Sequence, residues 1–297
     1  MTKAQSQRLK LAARIAFTLG VTLFAAYLGV ARAQDNYEIQ VYGADTVAPK
    51  TVMIEMHNNF TVNGFKPVPG SRYQADGTFP TNHAQHETVE ITTGITKWSE
   101  VGFYIFTSER DGQGVQWVGD HIRPRVRAPE SWHLPVGLSI SNEIGYQRGR
   151  FSPDTWTWEI RPIVDKQAGR YYMAFNGALG RAWHGPGTRQ GFTFAPNVKV
   201  GYDFTKKINA GVEYYASYGD IRSFGALHDQ QQQFFVAADL NLSPKWEFNI
   251  GVGLGATGST DHLIIKTIVG RRFNWGHSQT EGESKGDVKQ NGAPAKP

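Results

Sequence analysis

Residues 191–205, GFTFAPNVKVGYDFT, alternate between apolar and polar side chains from one end to the other. The apolar positions are Phe192, Phe194, Pro196, Val198, Val200, Tyr202 and Phe204. The polar positions between them are Thr193, Asn197, Lys199 and Asp203. Because successive side chains of a β-strand point to opposite faces, this pattern predicts a strand with one apolar and one polar face.

The same alternation recurs along almost the whole chain, whereas helical periodicity is scarce. It predicts about 12 strands, over residues 51–63, 86–97, 100–109, 115–127, 133–148, 154–165, 170–182, 191–205, 207–218, 231–243, 245–257 and 260–274. Soluble sheets mostly use strands of about 5–6 residues, and a strand needs about 9–11 residues to cross a bilayer. The long segments therefore predict an all-β protein, a single antiparallel transmembrane β-barrel over residues 51–275.

The connections between these segments fall into two kinds. Tight turns are predicted at 97–99, 128–132, 166–169, 205–207 and 243–245, and longer loops at 64–85, 110–114, 149–153, 183–190 and 219–230. This alternation is typical of outer-membrane barrels whose short turns face the periplasm, and an even strand number then places both termini there. Three prolines interrupt the pattern, Pro124, Pro162 and Pro196, and we expect them at bulges or at the rim.

The first 33 residues have the order of a secretory signal peptide. Residues 1–14 are basic and polar, 15–30 are apolar, and Ala31-Arg32-Ala33 is a cleavage pattern. This segment also carries the whole formal charge of +5, since the rest of the chain has 26 basic and 26 acidic residues. Nucleic-acid binding therefore has no electrostatic basis in the mature chain. The absence of cysteine excludes thiol catalysis, disulfides and thiolate-bound zinc.

Two segments flank the predicted barrel. Residues 34–50 form an N-terminal segment, within which Tyr37–Gly43 is expected to be either a short extra strand or a plug of the barrel. Residues 276–297 are polar, mixed in charge and contain Gly and Pro, so they are expected to be a disordered periplasmic tail.

Three short hairpins share a pattern: residues 94–103, 203–212 and 241–251 each contain Thr or Ser, then Lys, an apolar residue and a Gly. This pattern resembles the periplasmic turns of the outer-membrane barrels known as the MetA-pathway of phenol degradation family. The resemblance implies a channel that takes up a small molecule. The alternation of residues 263–273 towards Phe273 also resembles the signal that the barrel-assembly machinery recognises, which implies that machinery as a partner during biogenesis.

Projecting the alternation inward predicts a lumen lined by charged side chains. The candidates for a solute path are His121, Arg123, Arg125, Arg127, Glu143, Glu159, Arg161 and Asp165. Later strands are expected to add Lys199, Asp203, Glu213, Asp239, Glu247, Lys266 and Arg272. We expect Arg123 and Arg125 to face Glu143 and to be largely neutralised by it. Such a lumen is either a polar constriction that guides a small solute or an ion-pair network that fills the barrel.

The preferred function is passage of small solutes through a barrel in the outer membrane, in contact with its lipid. One alternative is a hydrolase at the outer rim acting on lipid or peptide, for which Ser139, Ser141, His121 and Asp120 are of the right residue types. A second alternative is a filled, structural barrel that displays its loops. A helical zinc motif requires a spacing that His83, His86 and Glu87 do not have. No metal site is therefore assigned, and neither is a catalytic residue or a cofactor.

Overall fold

The computed structural model describes residues 36–110 and 112–275. The predicted signal peptide, residues 1–33, and the predicted tail, residues 276–297, lie outside the described residues.

The described residues form thirteen β-strands, and their bounds agree with the predicted segments to within a few residues. The strands are β1 (Thr51–Asn63), β2 (Ala84–Thr96), β3 (Ser99–Arg110), β4 (Gly114–Arg127), β5 (Gly137–Gln147), β6 (Trp156–Ala168), β7 (Tyr171–His184), β8 (Thr193–Thr205), β9 (Ile208–Ser217), β10 (Gly219–Asp220), β11 (Gln231–Leu240), β12 (Trp246–Gly255) and β13 (Leu263–Asn274). Two short 3-10 helices, Glu130–Trp132 and Pro186–Arg189, lie in connections.

Twelve of these strands close into an antiparallel barrel, as the sequence predicts. Strands β1 to β9 pair in order, β9 pairs with β11, and β11, β12 and β13 follow. The seam is the pairing of β1 with β13, which runs from Thr51 opposite Asn274 to Asn63 opposite Leu263. The two-residue β10 pairs only with the start of β8. Closure gives each of the twelve barrel strands a partner on both edges, which a lipid environment requires because an unpaired backbone group is costly there.

The side chains divide as the alternation predicts. Apolar side chains such as Ile54, Phe103, Ile122, Val200 and Val252 are exposed on the outer face, where a barrel in a membrane contacts lipid. Exposed tryptophans lie near both ends of the strands: Trp98, Trp132, Trp117, Trp156 and Trp183. Aromatic side chains at these heights are typical of the two membrane–water interfaces. No helix among the described residues is long and apolar enough to cross a membrane.

The two ends of the barrel differ. One end, called here the short-turn end, carries the connections 97–98, 128–136, 169–170, 206–207 and 241–245. The other, the long-loop end, carries 64–83, 148–155, 185–192, 218–230 and 256–262. The connection between Arg110 and Gly114 is also at this end, and it is a short turn rather than the predicted longer loop. Strand β1 begins and β13 ends at the short-turn end.

The three prolines lie inside their strands rather than at the rim, and each has a regular ladder on one side and an interrupted ladder on the other. Pro124 lies opposite Val101, Pro162 opposite Ile140 and Pro196 opposite Gly177, in each case without a shift of register at that point. On the other side of Pro196, β8 passes from Asn197 opposite Tyr215 to Phe194 opposite Gly219, so the partner has one extra residue there, as at a bulge. A proline removes one ladder donor, so it is tolerated inside a strand where the pairing on its other side is interrupted. The β4–β5 ladder accordingly passes from Ile122 to Arg125 without pairs at the two positions between them.

Candidate functional site: the lumen and the segment inside it

Residues 36–48, called here the lumenal segment, run through the inside of the barrel. The segment forms no strand, and residues 37–44 are all buried. It contacts inward-facing side chains of β2, β3, β4, β6, β7 and β13, and only a chain inside the barrel can reach strands all around the ring. Of the two expected alternatives, strand or plug, the described geometry is that of a plug.

The segment passes from one end of the barrel to the other. At the long-loop end, the carbonyl oxygen of Asn36 accepts a hydrogen bond from Asn59 at 2.8 Å, and the Asn36 side chain bonds to Asp261. At the short-turn end, Pro49 forms a bridge with Gly94 just before β1 begins. Asn36 and Trp275, the first and last described residues, therefore lie at opposite ends of the barrel.

Tyr42 is the most heavily contacted residue of the segment. Its backbone amide donates to Oδ1 of Asn176 and its carbonyl oxygen accepts from Nδ2 of Asn176, both at 2.8 Å. The guanidinium groups of Arg123, Arg161 and Arg125 lie 4.4, 5.3 and 5.6 Å from the centre of its ring. Cations at this distance are attracted to the electron-rich ring face. The ring and backbone of Tyr42 are thus held by three strands at once.

The lower part of the segment is held by the same row of arginines. Arg125 donates to the carbonyl oxygens of Gly43 and Asp45 at 3.1 and 2.6 Å. Arg127 pairs with the Asp45 carboxylate at 3.2 Å. Glu100 accepts a hydrogen bond from the Val47 amide, so charged groups of both signs hold backbone that forms no ladder of its own.

The upper part of the segment has mixed contacts. Thr88 donates to the Tyr37 carbonyl oxygen at 2.6 Å, and Lys266 donates to that of Ile39 at 3.1 Å. Apolar side chains of the segment pack against inward-facing aromatics in two clusters. One cluster contains Ile39, Val41, Tyr172, Ala174, Tyr215, Phe235 and Ile264, and the other Tyr37, Tyr104, Phe106 and Val118. The sequence pattern predicts a polar lumen, and these inward aromatics depart from it because the segment gives them an apolar partner.

The eight predicted lumen residues all lie on the inner wall or at its short-turn rim, but their partners differ from the expectation. Arg123 pairs with Glu90 at 2.7 Å and Arg125 with Glu100 at 2.7 Å. The predicted pairing of both arginines with Glu143 is wrong, since Glu143 bonds to Nδ1 of His121. Counted from β4, which carries both arginines, Glu100 lies one strand away on β3 and Glu90 two strands away on β2. Their inward positions follow from the alternation of those strands, which is the signal that could have identified them.

The remaining charges of the wall also pair. Arg161 bonds to Glu159 at 2.6 Å and lies 3.9 Å from Glu38 of the segment, while Asp165 accepts from the Ala44 amide at 3.2 Å. On the opposite wall, Lys199 contacts Asp239 at 2.6 Å and Glu213 at 3.3 Å. Lys266 pairs with Glu213, and Arg272 with Glu247 at 2.8 Å. Most charges of the inner wall are therefore paired with a charge of the opposite sign.

Several buried polar atoms of the wall have no protein partner within the part of the chain that the structure describes. They include Thr61 Oγ1, Ser108 Oγ, Ser139 Oγ and both ring nitrogens of His86. Buried polar groups in proteins are nearly always hydrogen-bonded to protein or water. A wall with such groups is therefore suited to hydration and to contact with polar solutes.

The residues considered for hydrolytic or metal chemistry do not converge. His83 is exposed in the loop before β2, His86 is buried inside the barrel, and Glu87 alternates to the outer side of β2. No group of three or more His, Asp or Glu side chains within residues 36–110 and 112–275 is placed to hold a metal ion. Of the rim-hydrolase candidates, Ser139, Ser141 and His121 face inward, whereas Asp120 accepts a hydrogen bond from Trp117 at 3.1 Å.

No family model matches the sequence, and no curated protein matches it. The structure is similar to solved outer-membrane barrels. The COG4313 outer membrane channel from Pseudomonas putida F1 is 10% identical, with a TM-score of 0.51 over 80% of this chain and 100% of that chain. The KdgM porin is 12% identical, with a TM-score of 0.44 over 75% of this chain and 99% of that one. Omp33 of Acinetobacter baumannii is 10% identical, with a TM-score of 0.40 over 78% and 100%.

The chain thus has the fold of an outer-membrane β-barrel, and the likeness to the COG4313 channel extends over the whole of that chain.

Proposed function

We propose that the protein is an outer-membrane channel that lets small polar solutes pass when the lumenal segment moves aside. The observation that carries the proposal is the combination of a hydrophilic inner wall with a segment that is not part of the sheet. A segment held by side chains can be released without breaking a single ladder hydrogen bond of the barrel.

The contacts of the segment favour reversible release. Its polar contacts include those to Asn176, Arg125, Thr88, Lys266 and Glu100, all of which face the lumen. A hydrogen bond between neutral groups contributes about 0.5–1.5 kcal/mol net, and one to a charged group about 1.5–3 kcal/mol, so the segment is held by separate contacts of moderate strength rather than by a ladder. The barrel itself is of intermediate width, because about eight strands leave an interior filled by side chains and about 16–18 leave an open channel.

Conductance in planar bilayers tests the proposal. The double variant Tyr42→Ala/Asn176→Ala removes the central anchor and is expected to open more often, or to a larger conductance, than the wild type. Tyr171→Ala is the matched control, since Tyr171 is exposed on the outer face of the same strand as Asn176. A double variant that folds but stays silent in the bilayer would contradict the proposal.

We further propose that the short-turn end faces the periplasm, as in outer-membrane barrels generally. In that orientation Trp275 is periplasmic, as expected for the C-terminal side of the barrel. Asn36 lies instead at the extracellular end of the lumen, which differs from the expectation of two periplasmic termini. We also propose outer-membrane lipid as the surroundings of the outer face, and the barrel-assembly machinery as a partner during biogenesis on the resemblance of residues 263–273 to its recognition signal. Membership of the MetA-pathway of phenol degradation family stays a prediction.

A filled structural barrel is the second candidate, favoured by the buried packing of residues 37–44 against both walls. The same recordings separate the two candidates. A filled barrel predicts no conductance from the wild type and no gain from the double variant, whereas a plugged channel predicts a gain.

A further inference from the structure

A cavity of about 990 Å³ opens at the short-turn end, below the lumenal segment. It is lined by residues 45–49 and Thr51, by the β2–β3 turn, by the connection after β4, by the β11–β12 turn and by the end of β13. Its volume is at the upper end of the range of about 300–1,000 Å³ that small-molecule sites occupy. It is called here the short-turn vestibule.

The charges around the vestibule are unbalanced. Five cationic side chains line it: Lys97, Arg127, Lys245, Arg271 and Arg272. Its two carboxylates, Asp45 and Glu130, both pair with Arg127, at 3.2 and 3.3 Å. Arg272 is paired with Glu247 at 2.8 Å. Among the described residues, no carboxylate pairs with Lys97, Lys245 or Arg271. The vestibule therefore has an excess of positive charge, whereas most charges of the lumen are paired.

The vestibule also has an apolar wall. Val47, Trp98 and Phe273 line it together with three prolines, Pro49, Pro129 and Pro244. The guanidinium of Arg271 lies 5.0 and 4.9 Å from the ring centres of Trp246 and Phe273. All three residues are on the outer face of their strands, so this unpaired cation lies at the outer rim of the vestibule. Cations beside rigid apolar surface suit a ligand that has an anionic group and an apolar body.

We propose that the short-turn vestibule binds small amphipathic organic anions, with Lys97, Lys245 and Arg271 contacting the charge and Trp98 and Val47 the apolar part. Binding at this place does not require conduction, because the vestibule is separated from the lumen by the lumenal segment and its Asp45–Arg127 pair. A failed conductance test would leave this proposal standing.

Isothermal titration with an isosteric pair of probes tests it. Wild-type protein in nanodiscs of zwitterionic lipid is titrated with benzoate and with benzamide, and empty nanodiscs are subtracted. Benzoate is expected to bind about ten-fold more tightly, which corresponds to about 1.4 kcal/mol. Equal binding of the two probes would overturn the proposal, since only the charge distinguishes them.

The triple variant Lys97→Gln/Lys245→Gln/Arg271→Gln is expected to lose about ten-fold in benzoate affinity and to keep its benzamide affinity. The matched control is Lys206→Gln/Lys207→Gln, which alters the β8–β9 turn at the same end of the barrel but outside the vestibule. Heat-modifiable migration in SDS gels shows that each variant has folded. An unchanged benzoate affinity in a folded triple variant would overturn the proposal.

An anionic lipid headgroup and a soluble anion share this chemistry, and a second titration separates them. If phosphatidylglycerol in the nanodiscs abolishes benzoate binding in competition, the vestibule is a lipid site. If it does not, the vestibule selects soluble anions. In either case, binding of the anion is expected to depend on Lys97, Lys245 and Arg271.

Discussion

Tyr42 and Asn176 are joined by two hydrogen bonds of opposite direction, one from the Tyr42 amide and one to the Tyr42 carbonyl oxygen, each of 2.8 Å. An asparagine amide that faces a single backbone position in this way imitates the pairing of a neighbouring strand. The lumenal segment therefore has one ladder-like contact with the barrel, and that contact is at its middle.

Asn176→Ala is expected to weaken the seating of the segment by about 1–3 kcal/mol, the net value of two hydrogen bonds. The population of released segment would then rise by about 5- to 150-fold. Hydrogen–deuterium exchange of the Tyr42 amide measures this change. Asn249→Ala is the control, because Asn249 also faces inward but bonds to Asp239 at 2.7 Å. Equal exchange at Tyr42 in the wild type and in Asn176→Ala would show that the pair does not hold the segment.

Arg125→Gln removes one cation from the inner wall and leaves its partner Glu100, 2.7 Å away, without it. It also removes the donors to Gly43 and Asp45. We therefore expect more frequent openings whose current is carried more by cations. The reversal potential in a potassium chloride gradient measures the selectivity. Arg170→Gln, at the exposed β6–β7 turn, should leave the reversal potential unchanged. An identical change of reversal potential in both variants would contradict a lumenal role of Arg125.

Gly94→Ala tests the lower attachment of the segment. A Cβ at this position would lie 2.1 Å from the Ala48 carbonyl oxygen and 2.3 Å from that of Val47, so the backbone of the segment would have to move. We expect looser packing around Val47, measured as faster exchange of its amide. Gly177→Ala is a matched control, because its Cβ would meet only the Phe175 and Phe194 rings, at 3.2 Å or more. Slow exchange at Val47 in Gly94→Ala would show that the close approach is not needed.

Asp261 gives the long-loop end a dependence on pH. The carboxyl group accepts hydrogen bonds from Asn36, Thr81 and Phe65, and burial raises the pKa of Asp261 above its ordinary value. The folded loop thus favours the protonated group. Its contribution to stability is complete below about pH 4, the unfolded pKa, and is lost as the pH rises through the raised value.

In Asp261→Asn the side chain is neutral at every pH, so this dependence should disappear. The ratio of Phe65 amide exchange rates in wild type and variant, followed from pH 4 upward, measures it, because intrinsic exchange cancels in the ratio. A ratio that stays constant with pH would mean that Asp261 does not titrate as burial predicts.

The barrel could be predicted from the sequence because its strands alternate almost without interruption. The apolar residues at every second position from Phe192 to Phe204 predict the outer face of β8. The same alternation in β4 places His121, Arg123 and Arg125 inside the barrel. The ion-pair partners could not be predicted, because Glu90 and Arg123 meet across an intervening strand and their contact depends on the tilt and register of three strands. The sequence could not separate a plug from a short strand, because Tyr37, Ile39 and Val41 alternate with Glu38 and Gln40 as they would in a strand. Asn176 has no distinguishing motif.

The lumenal segment directly precedes β1, and β1 pairs with β13 at the seam. The order of events during biogenesis is constrained by this connection. If β1 pairs with β13 while residues 36–48 are still outside the barrel, those residues must afterwards be inserted into a closed barrel. That step is avoided if residues 36–48 are already between the strands when β1 pairs with β13. In that case β1, the first strand to be synthesised, is among the last to complete its pairing.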